Sequence, residues 1–144
     1  MTALLSELQG LVEIRNPEQA GYSQATAEMT LQVDGQVRTG DDGRVRLDLS
    51  TGSIIRVAPT TSFTLVTNEP VEGGLFTRIQ LFMGRIWIAL QGGSMDVETP
   101  SGLASGRGSY LTVWIDPDTG DVWVGCLEGW CVAENPAETL ELVA

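Results

Sequence analysis

The chain has 144 residues, enough for one domain, and 19 Asp and Glu against 8 basic residues give a net charge of −11. All eight bases are arginine; with no lysine and no histidine, Schiff-base chemistry, imidazole general bases and histidine metal ligands are excluded. Seventeen glycines beside 14 Thr, 13 Val and 7 Ile make a turn-rich, β-branched composition, that of a globular all-β domain.

Residues 4–15 could begin as an amphipathic helix, but Gly10 interrupts the pattern and Leu11-Val12-Glu13-Ile14-Arg15 reads as extended, so the segment is predicted as strand. Alternating runs follow at 30–33, 44–49, 54–57, 62–66, 76–82, 85–90, 95–98, 111–115, 121–126 and 131–133. Turn formers stand between them: Asp34-Gly35, Asp41-Asp42-Gly43, Thr51-Gly52, Glu72-Gly73-Gly74, Gln91-Gly92-Gly93 and Asp116-Pro117-Asp118-Thr119-Gly120. The tail from Pro136 is a last strand or a short helix. Strand signals at roughly ten-residue spacing predict one all-β domain over 1–144, β-solenoid-like or a twisted β-sandwich, ending in antiparallel hairpins.

The negative charge and the dispersed arginines argue against nucleic-acid binding, which depends on neutralising phosphates. No apolar run approaches the roughly 18 residues of a membrane span, and the longest candidate, 81–90, is broken by Gly84 and Arg85. Met1-Thr2-Ala3-Leu4-Leu5 lacks a basic leader, so the chain reads as cytosolic or as the mature or excised part of something longer. The cysteines favour the second reading. Glu128-Gly129 is a plausible two-residue hairpin turn, which would make Cys126 and Cys131 a non-hydrogen-bonded pair about 4.5 Å apart at Cα, close enough for a disulfide. Two free or metal-bound thiols are the alternative, but two ligands without histidine make a poor metal site. A disulfide points to an oxidising, extracytoplasmic compartment.

Several segments taken in order resemble the FecR domain. Val33-Asp34-Gly35-Gln36-Val37-Arg38-Thr39-Gly40 and 45–59, ending in Ala58-Pro59, are similar to its first half. Leu81-Phe82-Met83-Gly84-Arg85-Ile86-Trp87 resembles its Leu-x-x-Gly strand, and Val97-Glu98-Thr99-Pro100 its Val-x-Thr-Pro. Gly106-Arg107-Gly108-Ser109 stands where the family has Val-Arg-Gly-Thr, and 122–132 resembles its closing hairpin. The resemblance covers about residues 8–133, leaving 134–144 as a tail; Asp34-Gly35 inverts the usual Gly-Asp, and Ser109 replaces Thr. It implies an all-β domain outside the cytoplasm, of the kind found in membrane-anchored regulators that relay transporter occupancy to an extracytoplasmic-function sigma factor. Fold alone does not carry that control over to this chain.

Chemistry is sparsely represented. Asp116, Asp118 and Asp121 loosely suggest a calcium loop but lack the EF-hand spacing, and a tight turn is the simpler reading. Ser101, Ser105 and Ser109 lie near Arg107 without a base to activate them, so no catalytic residue, cofactor or metal is assigned. Arg107, between two glycines, is a structural residue or a ligand contact. The tryptophans are more informative. Trp87, Trp114 and Trp123 each alternate with branched aliphatics and so take the opposite strand face. If Asp116 pairs with Asp121, Trp114 stands opposite Trp123, and the second hairpin would bring Trp130 to the same face, with Gly125 leaving space between. Trp114, Trp123 and Trp130 are therefore predicted as a cluster, either a second core layer or a partner surface.

The function these features support is a non-enzymatic, extracytoplasmic binding, sensing or scaffold module working through protein contacts. The alternatives are a self-associating structural subunit of a surface assembly, and a carbohydrate-binding module that stacks sugars on the tryptophans.

Overall fold

A computed structural model describes residues 2–50, 52–71, 74–135 and 139–143. Thirteen strands occur in it: β1 (Thr2–Gln9), β2 (Val12–Arg15), β3 (Ser23–Gln24), β4 (Thr30–Gln32), β5 (Gln36–Thr39), β6 (Arg44–Leu49), β7 (Ile54–Val57), β8 (Ser62–Val71), β9 (Gly74–Ala89), β10 (Ser94–Thr99), β11 (Gly102–Ile115), β12 (Val122–Glu134) and β13 (Thr139–Val143). Among the described residues there is no helix, and the all-β prediction holds. The turns expected at Thr51-Gly52 and Glu72-Gly73-Gly74, and the start of the tail at 136–138, fall partly or wholly outside the described residues.

All strands belong to one sheet that folds over on itself. One layer runs β4–β1–β6–β7–β9–β11–β12, using the second halves of β9 and β11 and the first half of β12. The other runs β3–β2–β5–β8–β9–β10–β11–β12–β13 and uses the remaining halves of the same long strands. The doubling explains the parallel β9–β10 pair. Parallel neighbours ordinarily need a long crossover, yet only residues 90–93 separate these two. Because β9 bends at Gly84, its end returns beside its beginning, and Ser94 meets Phe76 directly.

Gly84 has φ +92, and a Cβ there would collide with Thr61. Two constraints, handedness and close approach, thus require glycine at the same residue.

The inner sides of the layers meet in one core. Period-two alternation places one residue from each of β1, β6, β7, β9, β11 and β12 in a single row: Leu5, Leu47, Ile55, Ile88, Leu111 and Cys126. The first five are 0–1% exposed, and Cys126 packs partly buried at the end. The aliphatic face predicted from Ile86, Ile88, Val113 and Ile115 is this core, with Val122 and Val124 packed against it.

The hairpin expected at Glu128-Gly129 does not form. β12 continues through both residues and stays paired with β11, Cys126 opposite Leu111 and Cys131 opposite Gly106. A hairpin here would leave the first half of β11, 102–107, without its neighbour, whereas continuation satisfies that edge. Gly129, at φ +83, lies in the bend. The ladder is irregular between Arg107 and Leu111, and there the whole β11–β12 ribbon doubles back. Five extended residues span about 16 Å, yet the Cα atoms of Cys126 and Cys131 are 6.0 Å apart. At the ribbon's opposite ends, the Ser101 hydroxyl donates to the Gly120 carbonyl at 3.2 Å, although a straight ribbon would hold them roughly 40 Å apart.

Ile88→Ala should cost about 2–5 kcal/mol in chemical denaturation, since it empties the middle of the core row. Gly84→Ala should also be strongly destabilising although it adds only a methyl group, because it forces the bend open.

Candidate functional site

The outward side of the first layer holds the chemistry. Its central row, one residue from each of β1, β6, β7, β9, β11 and β12, is Ser6, Arg46, Arg56, Trp87, Thr112 and Gly125. Arg85, Trp114 and Trp123 form the row on one side; Asp48, Ile54, Ala89 and Tyr110 form the row on the other. Trp123 is 61% and Tyr110 48% exposed. Trp87 and Trp114 are half-buried by their neighbours on the sheet. Trp114 and Trp123 stand opposite each other as predicted, ring centroids 6.5 Å apart and planes tilted by 33°. Gly125 adds no side chain above Thr112, which keeps the floor beside Trp123 low.

Arginine interleaves with the aromatics. The Arg85 guanidinium lies 4.7 Å from the Trp87 ring centroid, a cation–π contact, and its Nε donates to the Thr112 hydroxyl at 3.1 Å. Arg46 donates to Asp48 at 2.9 Å and to Glu7 at 3.2 Å, and Arg56 reaches the same Glu7 oxygen at 3.5 Å. The hydrogen bond that Arg46 donates to Asp48 is the main cause raising the Arg46 pKa above its ordinary value; desolvation opposes it and Glu7 adds to the rise. Glu7 occupies a bulge of β1 at φ +49, a left-handed conformation uncommon for a residue with a side chain. A groove of about 430 Å³ runs along Arg44, Arg46, Arg56, Trp87 and Tyr110. Beyond Arg85 the face opens into an apolar notch of about 480 Å³ between Pro59, Phe82, Met83, Trp114, Ile115 and Pro117. Phe82 and Met83 are 50% and 44% exposed.

The other expected residues lie elsewhere. Trp130 stands opposite Arg107 beyond the ribbon bend, because the hairpin that would have carried it to Trp123 is absent. It borders a separate groove with Phe76 and Arg107, and the tryptophan ring contact found among the described residues is that of Trp114 with Trp123. Arg107 itself is exposed. Cys126 and Cys131 form a disulfide that ties the two halves of β12 across the bend. The Asp116–Asp121 segment is a turn: the Asp116 carboxylate accepts from the Asp118 amide at 2.8 Å, and Asp116 N–H donates to the Asp121 carbonyl at 2.8 Å. Ser105 donates to Asp96, and the Ser109 side chain is outside the described residues.

Sequence reasoning placed Trp114 opposite Trp123, misplaced Trp130, and passed over the arginines as dispersed. The missed signal was parity. In Arg44-Val45-Arg46 and Arg85-Ile86-Trp87 the arginine shares the alternation of the outward residues, and pairing across strands turns separated positions into neighbours.

This doubled sheet recurs in two crystal structures of a "putative anti-sigma factor" from Parabacteroides distasonis ATCC 8503, at 2.50 and 1.65 Å resolution. Each matches with a TM-score of 0.64 at 13% identity, over 75% of this chain and 50% of theirs, so the likeness is one of fold. The chain spans about half the length of those solved structures. No curated protein matches the sequence. The family described as FecR protein matches residues 35–130, two thirds of the sequence, and the chain belongs to that family.

Free-thiol titration of the denatured, unreduced protein should find neither cysteine reactive. Reduction should cost about 2 kcal/mol, the value expected for so short a closed loop. Trp123→Ala should change stability by less than about 1 kcal/mol, because its ring is mostly in solvent.

Proposed function

We propose that this chain is a non-catalytic, extracytoplasmic sensing module of a FecR-type regulator, acting through protein contacts on the arginine- and tryptophan-bearing face of its first layer. The observation that carries the reading is the exposure of Trp123 beside Trp114 and Arg85 on the outward antiparallel face. Large aromatic and arginine side chains left in solvent together are the residue types that anchor protein interfaces. Family membership supports a regulatory role, and the disulfide supports an oxidising compartment.

Self-association is the second reading, favoured by the position of β4 and β13 at the two ends of the sheet path. Strand ends of this kind offer unpaired backbone groups to another chain.

A photo-crosslinking amino acid placed at Trp123, in the full-length protein produced in its native cell, separates these readings. An adduct with a different envelope protein, lost when Arg85 is changed to Glu, is the expected result. Adducts between two copies would favour the structural subunit. Absence of any adduct, or recovery of the protein from the cytosol with both thiols free, would overturn the proposal.

A further inference from the structure

The outward face is cationic in a protein that is not. Four of the eight arginines, Arg44, Arg46, Arg56 and Arg85, border it, within a chain of net charge −11. Arg46 and Arg56 share Glu7, and Arg46 also holds Asp48. Arg44 and Arg85 make no ion pair with a carboxylate among the described residues. Arg85 is fixed by Trp87 and by its Nε bond to Thr112, so its Nη groups remain as donors on a positioned, partly desolvated cation. Glu7 shows what the face accepts: one carboxylate oxygen lies 3.2 Å from Arg46 and 3.5 Å from Arg56, held there by a left-handed backbone. The one acid bordering the notch, Asp116, already accepts the Asp118 amide.

We propose that this face binds an extended acidic segment of a partner protein, with carboxylates over Arg44, Arg56 and Arg85 and an apolar side chain in the notch between Phe82 and Trp114. The proposal rests on the protein-contact reading above and gives the partner its chemistry. From Trp123 on β12 to Arg46 on β6 there are four strand intervals, about 19 Å, the reach of about six extended residues. The acidic remainder of the molecule repels a long polyanion such as a nucleic acid, whereas a short segment engages the arginines alone. The apolar notch beside Arg85 also favours a peptide over a purely polar anion, because only a peptide supplies an apolar side chain two residues from a carboxylate.

The test uses a fluorescein-labelled peptide whose alternate residues are Phe, Glu, Glu and Glu with Ser between them, so that all four point to one face when extended, a matched Lys peptide, and an anionic polygalacturonate fragment, read by fluorescence polarisation. The Glu peptide should bind saturably, lose affinity as salt rises, and outbind both controls. Arg44→Glu with Arg85→Glu should weaken it at least about tenfold, and Glu7→Gln, which releases Arg56, should tighten it about threefold. Arg44→Gln with Arg85→Gln, checked for an unchanged denaturation midpoint, serves if the charge reversals do not fold. Equal binding of the Glu and Lys peptides, or affinity indifferent to salt or to both double variants, would overturn the inference. So would tighter binding of the polygalacturonate, or self-association in sedimentation abolished by the same arginine changes, which would make a second copy the occupant. A Trp123 crosslink to a partner protein alongside failure of the Glu peptide would remove this inference and leave the protein-contact reading standing.

Discussion

The doubled sheet depends on a buried pair of threonine hydroxyls where the strands change layers. Thr39 donates to the Ala58 carbonyl at 2.7 Å and accepts the Thr61 amide at 2.9 Å. Thr61 in turn accepts the Arg85 amide at 3.0 Å and donates to the Pro59 carbonyl at 3.1 Å. Both threonines are buried, at 8% and 1% exposure, so every one of these polar groups must be paired within the protein. The chain of bonds ties the end of β5 to the β7–β8 corner and then to the bend of β9. Gly40 extends it, giving its N–H to Leu11 and its carbonyl to Thr60. Strands that would otherwise run straight therefore turn along one line, and the polar interactions at that line set how the apolar rows meet beyond it.

At the other end of the molecule a covalent bond does the equivalent work. At its bend the β11–β12 ribbon leaves Tyr110, Leu127 and Trp130 exposed, and the Cys126–Cys131 disulfide closes the fold directly. Between corner and disulfide the first layer is fixed from both sides. Its outward face is accordingly a rigid platform on which Arg85, Trp87, Trp114 and Trp123 keep their relative positions, a favourable arrangement for binding because little side-chain freedom remains to be lost.

Short β-branched or alternating runs bounded by turn formers were legible from the sequence: 44–49 and 54–57 are β6 and β7 to the residue. So was the pairing of Trp114 with Trp123, because Asp116 and Gly120 specify their turn locally. Two kinds of feature were not. Gly102-Leu103-Ala104-Ser105-Gly106 carries little β signal, and becomes strand only because β10 and β12 offer it partners on both sides. Glu128-Gly129 has good hairpin chemistry, and nothing local reveals that continued pairing with β11 prevails over it. The cysteines met all the same, since a doubled ribbon brings residues either side of a bend together much as a hairpin does. Trp130 exposes the difference between the two geometries, because its location depends on which way β12 leaves the bend.

The arginine row has no adequate explanation in stability. The pairs of Glu7 with Arg46 and Arg56 involve side chains from 29% to 55% exposed, and ion pairs in such settings contribute little after screening and the entropy of fixing two long side chains. Holding Glu7 in a left-handed conformation to make them carries a backbone cost of its own. Arg85 offers even less to folding electrostatically, because no carboxylate among the described residues pairs with it. Cation and ring are nevertheless aligned, buffered from water on one side and open on the other. An arrangement that returns so little to the folded state, on the tryptophan-bearing outward face of an acidic molecule, is better matched to something that arrives from outside than to anything within the chain.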